Sequence, residues 1–125
     1  MDDNAREALQ KGHTIDITTH GNKSGEDRRI EIVFHAIDGS VYLSGLPRPA
    51  KRKWLRNLEA NASLTFHLKQ DVKADLPAKA RVITDEGERL RLLAHVKSTQ
   101  DSWKEVTLED AVAMSPLVQL SFDGA

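Results

Sequence analysis

Arg29-Ile-Glu-Ile-Val-Phe-His-Ala-Ile-Asp-Gly-Ser-Val-Tyr-Leu-Ser44 is the stretch from which the fold can be read. Between Arg29 and Ala36, Ile30, Ile32 and Phe34 share one face of an extended chain, the period of a half-buried strand. Asp38-Gly39 is a strong two-residue hairpin signal, because both positions tolerate the positive φ that a tight primed turn demands. Val41 to Ser44 completes the pair. The nucleus of the fold is therefore an antiparallel hairpin.

Working back, Thr14 to Thr19 alternates with Ile15 and Ile17 on one face, which predicts a strand ahead of the hairpin. A polar loop, Gly21-Asn-Lys-Ser-Gly-Glu-Asp-Arg28, joins the two. Asn4 to Lys11 has an N-cap candidate in Asn4 and a stop in Gly12, and predicts a short helix. Working forward, Lys51 to Asn61 predicts a helix with Trp54, Leu55 and Leu58 as its apolar stripe. Leu64, Phe66 and Leu68 alternate in a fourth strand, Asp71 to Pro77 is expected as a loop, and Ala78 to Ile83 as a fifth strand. Asp85-Glu-Gly-Glu88 resembles a capping box before a helix carrying Leu90, Leu93, Ala94 and Val96, and Thr107-Leu-Glu-Asp110 opens a short turn of helix. Val118, Leu120 and Phe122 alternate in a last strand.

Alternation, rather than continuous apolar runs, favours antiparallel pairing. Six strands with one apolar face each bury those faces by closing into a small barrel, with short helices between strands three and four and between five and six. At 125 residues the chain is expected to be a single domain, 1–125.

Charge and composition narrow the function. A net charge of -1 argues against a surface given over to nucleic acid, and two Trp, one Tyr and three Phe offer few stacking platforms, so no nucleic-acid partner is expected. The absence of cysteine removes thiol catalysis and thiolate metal sites. Of the five histidines no two stand at metal-ligand spacing on a helix, and no metal site is expected. His35 and His67 fall on polar strand faces and are expected to face solvent. Ser24 and Ser44 lie outside any nucleophile-elbow pattern, so no catalytic side chain is assigned. No apolar run approaches the ~20 residues of a membrane span, and the amino terminus lacks a signal-peptide pattern; a cytoplasmic protein without a membrane span is the expectation.

Two basic clusters remain. Lys23, Arg28 and Arg29 surround the glycine loop, and Arg48, Lys51, Arg52, Lys53 and Arg56 surround the start of the helix after the hairpin. Cations in a first helical turn oppose the helix dipole, each by about 0.3–1 kcal/mol. An anion at that place would satisfy the free N–H groups, the dipole and the cations together, and a glycine loop can add further backbone donors. The pair predicts a site for an extended polyanion.

Thr18-Thr-His-Gly-Asn-Lys-Ser-Gly-Glu-Asp-Arg28 resembles the Thr-Thr-x-Gly-x-Lys-[Ser/Thr]-Gly-x-x-Arg signature of the deazaflavin-dependent nitroreductase family. Lys51-x-x-Trp54-x-x-Asn57-Leu-x-Ala-Asn61 resembles its second signature, and Ala80-Arg-Val-Ile-Thr-Asp85 a later segment. The resemblance implies a split β-barrel that binds coenzyme F420, a 5-deazaflavin with a phosphate and an oligoglutamate tail. It implies an oxidoreductase passing a hydride between F420 and a small acceptor such as a quinone or nitro compound. Carried over by motif, Lys23, Ser24 and Arg28 would hold the phosphate and tail, helped by Lys51 and its neighbours, Arg48 among them. Ser44 and Gly45 would contact the ring system. Trp54 and Asn57 also match motif positions, Trp54 as a cofactor contact whose main part is packing and Asn57 as a holder of the loop. Trp103 and the segment from Val106 to Met114 are expected along the acceptor pocket.

The chain departs from the pattern at His20, Asn22, Gly45 and Ala62, the second and third replacing common cations. Those departures leave open FMN in place of F420, as in an FMN-dependent reductase, and a non-catalytic carrier of a flavin-like or tetrapyrrole ligand. Split barrels often pair across an open sheet, which admits a homodimer.

Overall fold

A computed structural model describes residues 1–21 and 26–123. The strands are β1 (Thr14–His20), β2 (Asp27–Ile37), β3 (Ser40–Ser44), β4 (Ser63–Lys69), β5 (Lys73–Val82) and β6 (Leu117–Phe122). All neighbours are antiparallel, and the order β1-β2-β3-β6-β5-β4 closes into the expected split barrel. The helices are α1 (Asp3–Ala8), α2 (Lys53–Ala60) after β3, and α3 (Glu86–Thr99) and α4 (Leu108–Met114) between β5 and β6, with a 3-10 turn at Asp101–Trp103. At the β2–β3 turn Asp38 and Gly39 both have positive φ, 50° and 79°, as the hairpin signal required.

The two faces of the sheet carry two cores. Ile15, Ile17, Phe34, Leu43, Leu64, Phe66 and Val118 point inward, and α2 closes the interior with Trp54, Leu55 and Leu58. Outside, α3 and α4 cover part of the wall, where Ile37, Tyr42, Ile83 and Leu117 meet Leu92, Leu93, Val96, Trp103 and Ala111.

This second layer overturns one expectation. His35 pairs with Tyr42 on the outward face and is buried, because α3 packs over that part of the wall. His67 is buried too, with its Nε2 2.7 Å from Thr18 Oγ1 and its Nδ1 2.6 Å from Asp75 Oδ1. Neither histidine faces solvent.

Asp71 to Pro77 also differs from expectation, since β5 begins at Lys73 and pairs with β4 through Pro77 opposite Thr65. The β6 partner covers β5 only from Ala78 to Val82, so among the described residues Pro77 lies on a free edge. There a missing N–H leaves no ladder bond unmade. At α1 the cap is Asp2 rather than Asn4, its side chain accepting from the Ala5 N–H at 2.8 Å. No helix among the described residues is long and apolar enough to cross a membrane.

Candidate functional site

Arg52 is the N-cap of α2 and Lys51 precedes it, so of Lys51, Arg52 and Lys53 only Lys53 stands in the first turn. The chain arranges the other two otherwise. Arg52 folds back and donates from Nη2 to the Leu46 carbonyl at 2.7 Å, and Lys51 Nζ reaches both carboxylate oxygens of Glu59 at 3.0 Å. No side chain caps the helix and its first turn holds no acid, so the amino-terminal N–H groups and dipole remain uncompensated.

This helix end opens on a cavity of about 340 Å3, lined on one side by Arg48, Lys51 and Arg52 and on the other by Ile83, Arg89 and Ser115. Burial, and then the nearby Arg48, push the Arg52 guanidinium below its ordinary range. Arg89 is also held down by burial, and is fully engaged: it donates to the carbonyls of Ile83, Ala111, Val112 and Ser115 at 3.0, 3.4, 3.0 and 2.5 Å. Among the described residues, Arg48 and Arg52 thus share the cavity with neither paired to a carboxylate.

Ser115 supplies the test of what fits there. Its Oγ is the one buried side-chain polar atom among the described residues that lacks a hydrogen-bond partner, and the residue lines this cavity. Such an atom is costly unless something completes it. A hydroxyl in need of a partner, two like-charged guanidinia and an uncapped helix start all suit an anionic group.

The expected site residues fall in different places. Arg48 and Lys51 line the cavity itself. Ser44 and Gly45 adjoin it: Ser44 Oγ donates to the Pro116 carbonyl at 2.8 Å, and a Cβ on Gly45 would stand 2.8 Å from the Arg52 guanidinium. Gly45 is the position that leaves room for Arg52 to fold back. Trp54 points into the barrel core at 6% exposure, where it packs and is not presented to the cavity. Arg28 lies across from Thr19 on β2, exposed and with the parity of the inward residues, and does not line the cavity. Lys23 and Ser24 lie outside the described residues. The end of β1 that precedes them lies close to α2, because Asn57 Nδ2 donates to the buried Thr19 Oγ1 at 3.0 Å.

Trp103 is buried in the second core and lines no described cavity, whereas Val112, Ala113 and Met114 of the expected acceptor segment do line this one. Arg89 and Ser115 were missed in the sequence. Arg89 looks like one more exposed helical cation and Ser115 like a linker residue; only the docking of α4 against α3 gives either its place.

A model of the F420H(2)-dependent quinone reductase family matches residues 3–109. Among solved structures, a conserved hypothetical protein of Mycobacterium tuberculosis is similar with a TM-score of 0.74 at 16% identity, over 98% of this chain and 81% of its own. An F420-H2 dependent reductase gives 0.62 at 20% identity, over 86% and 93%. A protein described as a domain-swapped dimer gives 0.64 at 17% identity, over 94% of both. No curated protein matches the chain.

Proposed function

This chain belongs to the F420H(2)-dependent quinone reductase family, and is on that ground an F420-dependent oxidoreductase; we propose that it passes a hydride from reduced F420 to a small quinone or nitro acceptor. When bound, F420 supplies the hydride chemistry, which calls for no nucleophile or metal from the protein. The chain's part is to hold the anionic portion of the cofactor, orient the ring and exclude water. Arg48, Arg52, Ser115 and the free N–H groups at the start of α2 hold the anion, with Lys51 beside them. Arg28, with Lys23 and Ser24 by the motif, holds the tail, and Asn57 ties the end of β1 to α2 through Thr19. Ser44 acts through Pro116, fixing the strand that leads out of the cavity. Val112, Ala113 and Met114 flank the acceptor's approach.

The observation that carries this reading is the unpartnered Ser115 hydroxyl in a cavity shared by Arg48 and Arg52. Fluorescence titration with F420 and with FMN tests it. F420 is expected to bind the more tightly, and Arg52→Ala to weaken it by roughly tenfold or more, the loss of a charge-assisted hydrogen bond. Equal, weak binding of both ligands would remove the cofactor assignment. The similarity to a domain-swapped dimer supports a homodimer as the assembly.

A further inference from the structure

A separate cavity, of about 200 Å3, lies where the carboxy-terminal end of β2 meets the carboxy-terminal end of α3. It shares no lining residue with the cavity at α2. His35 of β2 and His95 of α3 both line it, together with Gly12, Thr99 and Gln100. His35 is only 8% exposed, and neither of its ring nitrogens bonds to a group among the described residues. Yet Ser115 Oγ is the one sealed side-chain polar atom there that lacks a partner, so the His35 nitrogens open onto the cavity their ring lines. A buried imidazole so placed calls for a partner. His95 approaches the same space from the helix, near enough for its charge to weigh on His35.

Two features decide what kind of partner fits. Thr99 is the last residue of α3 and Gln100 its C-cap, so the cavity lies at the negative end of the helix dipole, which favours a cation. Among the described residues no carboxylate lines it. That is the wrong chemistry for Mg2+ or Ca2+, which seek oxygen, whereas imidazole nitrogen suits Zn2+ and Ni2+. We propose that His35 and His95 together bind a divalent transition-metal ion of the Zn2+ kind between β2 and α3. No group of three or more His, Asp or Glu ligands gathers among the described residues, so the protein supplies two ligands and water completes the shell. Such a site is weaker than a closed one with four protein ligands. The ion ties the end of α3 to the barrel wall, and α3 carries the Arg89 that holds α4. Its two ligands come from a strand and a helix far apart in the chain, which is why no metal-ligand spacing shows in the sequence. Nothing in this assignment depends on F420.

Calorimetric titration of the cofactor-free protein with Zn2+ alone tests it, on wild type, His35→Gln, His95→Gln and His13→Gln. Wild type is expected to take one ion per chain, and Mg2+ or Ca2+ to give no binding. His35→Gln and His95→Gln should each weaken Zn2+ binding tenfold or more, since even a contact that merely supports a ligand is worth that much. His13 follows the cavity residue Gly12 but lines a different cavity, so His13→Gln should bind as wild type does. With Zn2+ at a hundredfold excess over Kd, Tm should rise by about 10 °C in wild type and not in His95→Gln. His95 is exposed, so its variant keeps the fold and decides the matter even where His35→Gln does not fold. No Zn2+ binding by wild type, binding that His95→Gln leaves intact, or an equal loss in His13→Gln overturns the assignment.

Discussion

His35 shows how one side chain is governed by what covers it. Burial, with His95 as the second cause, holds its imidazole at about 4 against an ordinary 6.5. The proton therefore binds the unfolded chain more readily than the folded one. Stability is whole above pH 6.5, falls as pH drops through the unfolded value, and stops falling near pH 4. The full loss is about 3 kcal/mol. Urea denaturation at pH 7 and at pH 4 should show this loss in wild type and not in His35→Gln. His95→Ala, which removes the second cause from an exposed site on α3, should make the acid loss smaller. Identical pH dependence in wild type and His35→Gln would show that His35 is not its source. The outward parity of His35 was plain in the sequence; that α3 lies across it was not, because a helix's docking site is written in contacts far apart along the chain.

At the scale of elements, α4 is a short helix held at its end from outside. The Ala111 carbonyl accepts from the Ser115 N–H and the carbonyls after it have no intrahelical partner; the Arg89 guanidinium of α3 reaches those of Ala111 and Val112 as well as Ser115 beyond them. A cation at that end also suits the dipole. Arg89→Ala should lower stability by about 3 kcal/mol, since several buried acceptors lose a charged donor together. Arg89→Lys should recover less than half of it, because a point charge cannot replace the fork. Chemical denaturation measures both, and faster hydrogen exchange at the Ser115 amide, which bonds to Ala111, would place the damage in α4. A loss confined to that expected of an exposed arginine would show the clamp to be incidental. The strands whose inward residues alternate cleanly, such as Ile15 with Ile17 and Leu64 with Phe66, were legible in advance. The first half of β5 was not, because Lys73 to Pro77 mixes charge with a proline that only a free edge can accept. The cationic rim of the site was legible for the opposite reason: Arg48, Lys51 and Arg52 are neighbours in sequence, whereas Ser115 joins them only through the fold.

For the whole molecule, the cavity sits where its two cores meet. Leu55 on its wall belongs to the barrel interior, and Ile83 to the layer under α3 and α4. A ligand seated between α2 and α4 therefore bridges elements that otherwise touch through the barrel wall, and its binding free energy appears as stability of the entire fold. With F420 at a hundredfold excess over Kd the gain is about 2.7 kcal/mol. In a chain of this size that corresponds to a rise in Tm of about 10 °C. Because the contacts at Arg48 and Arg52 are between opposite charges near solvent, the rise should shrink as salt is added, the screening length being about 10 Å at 0.1 M. Arg52→Ala should reduce both the rise and its dependence on salt, while Leu90→Asp, at an exposed position on α3 outside this cavity, should alter neither. Thermal denaturation with and without F420 across a salt series distinguishes these cases. A rise that ignores salt, or one equal in wild type and Arg52→Ala, would mean that the cofactor is held somewhere other than the start of α2.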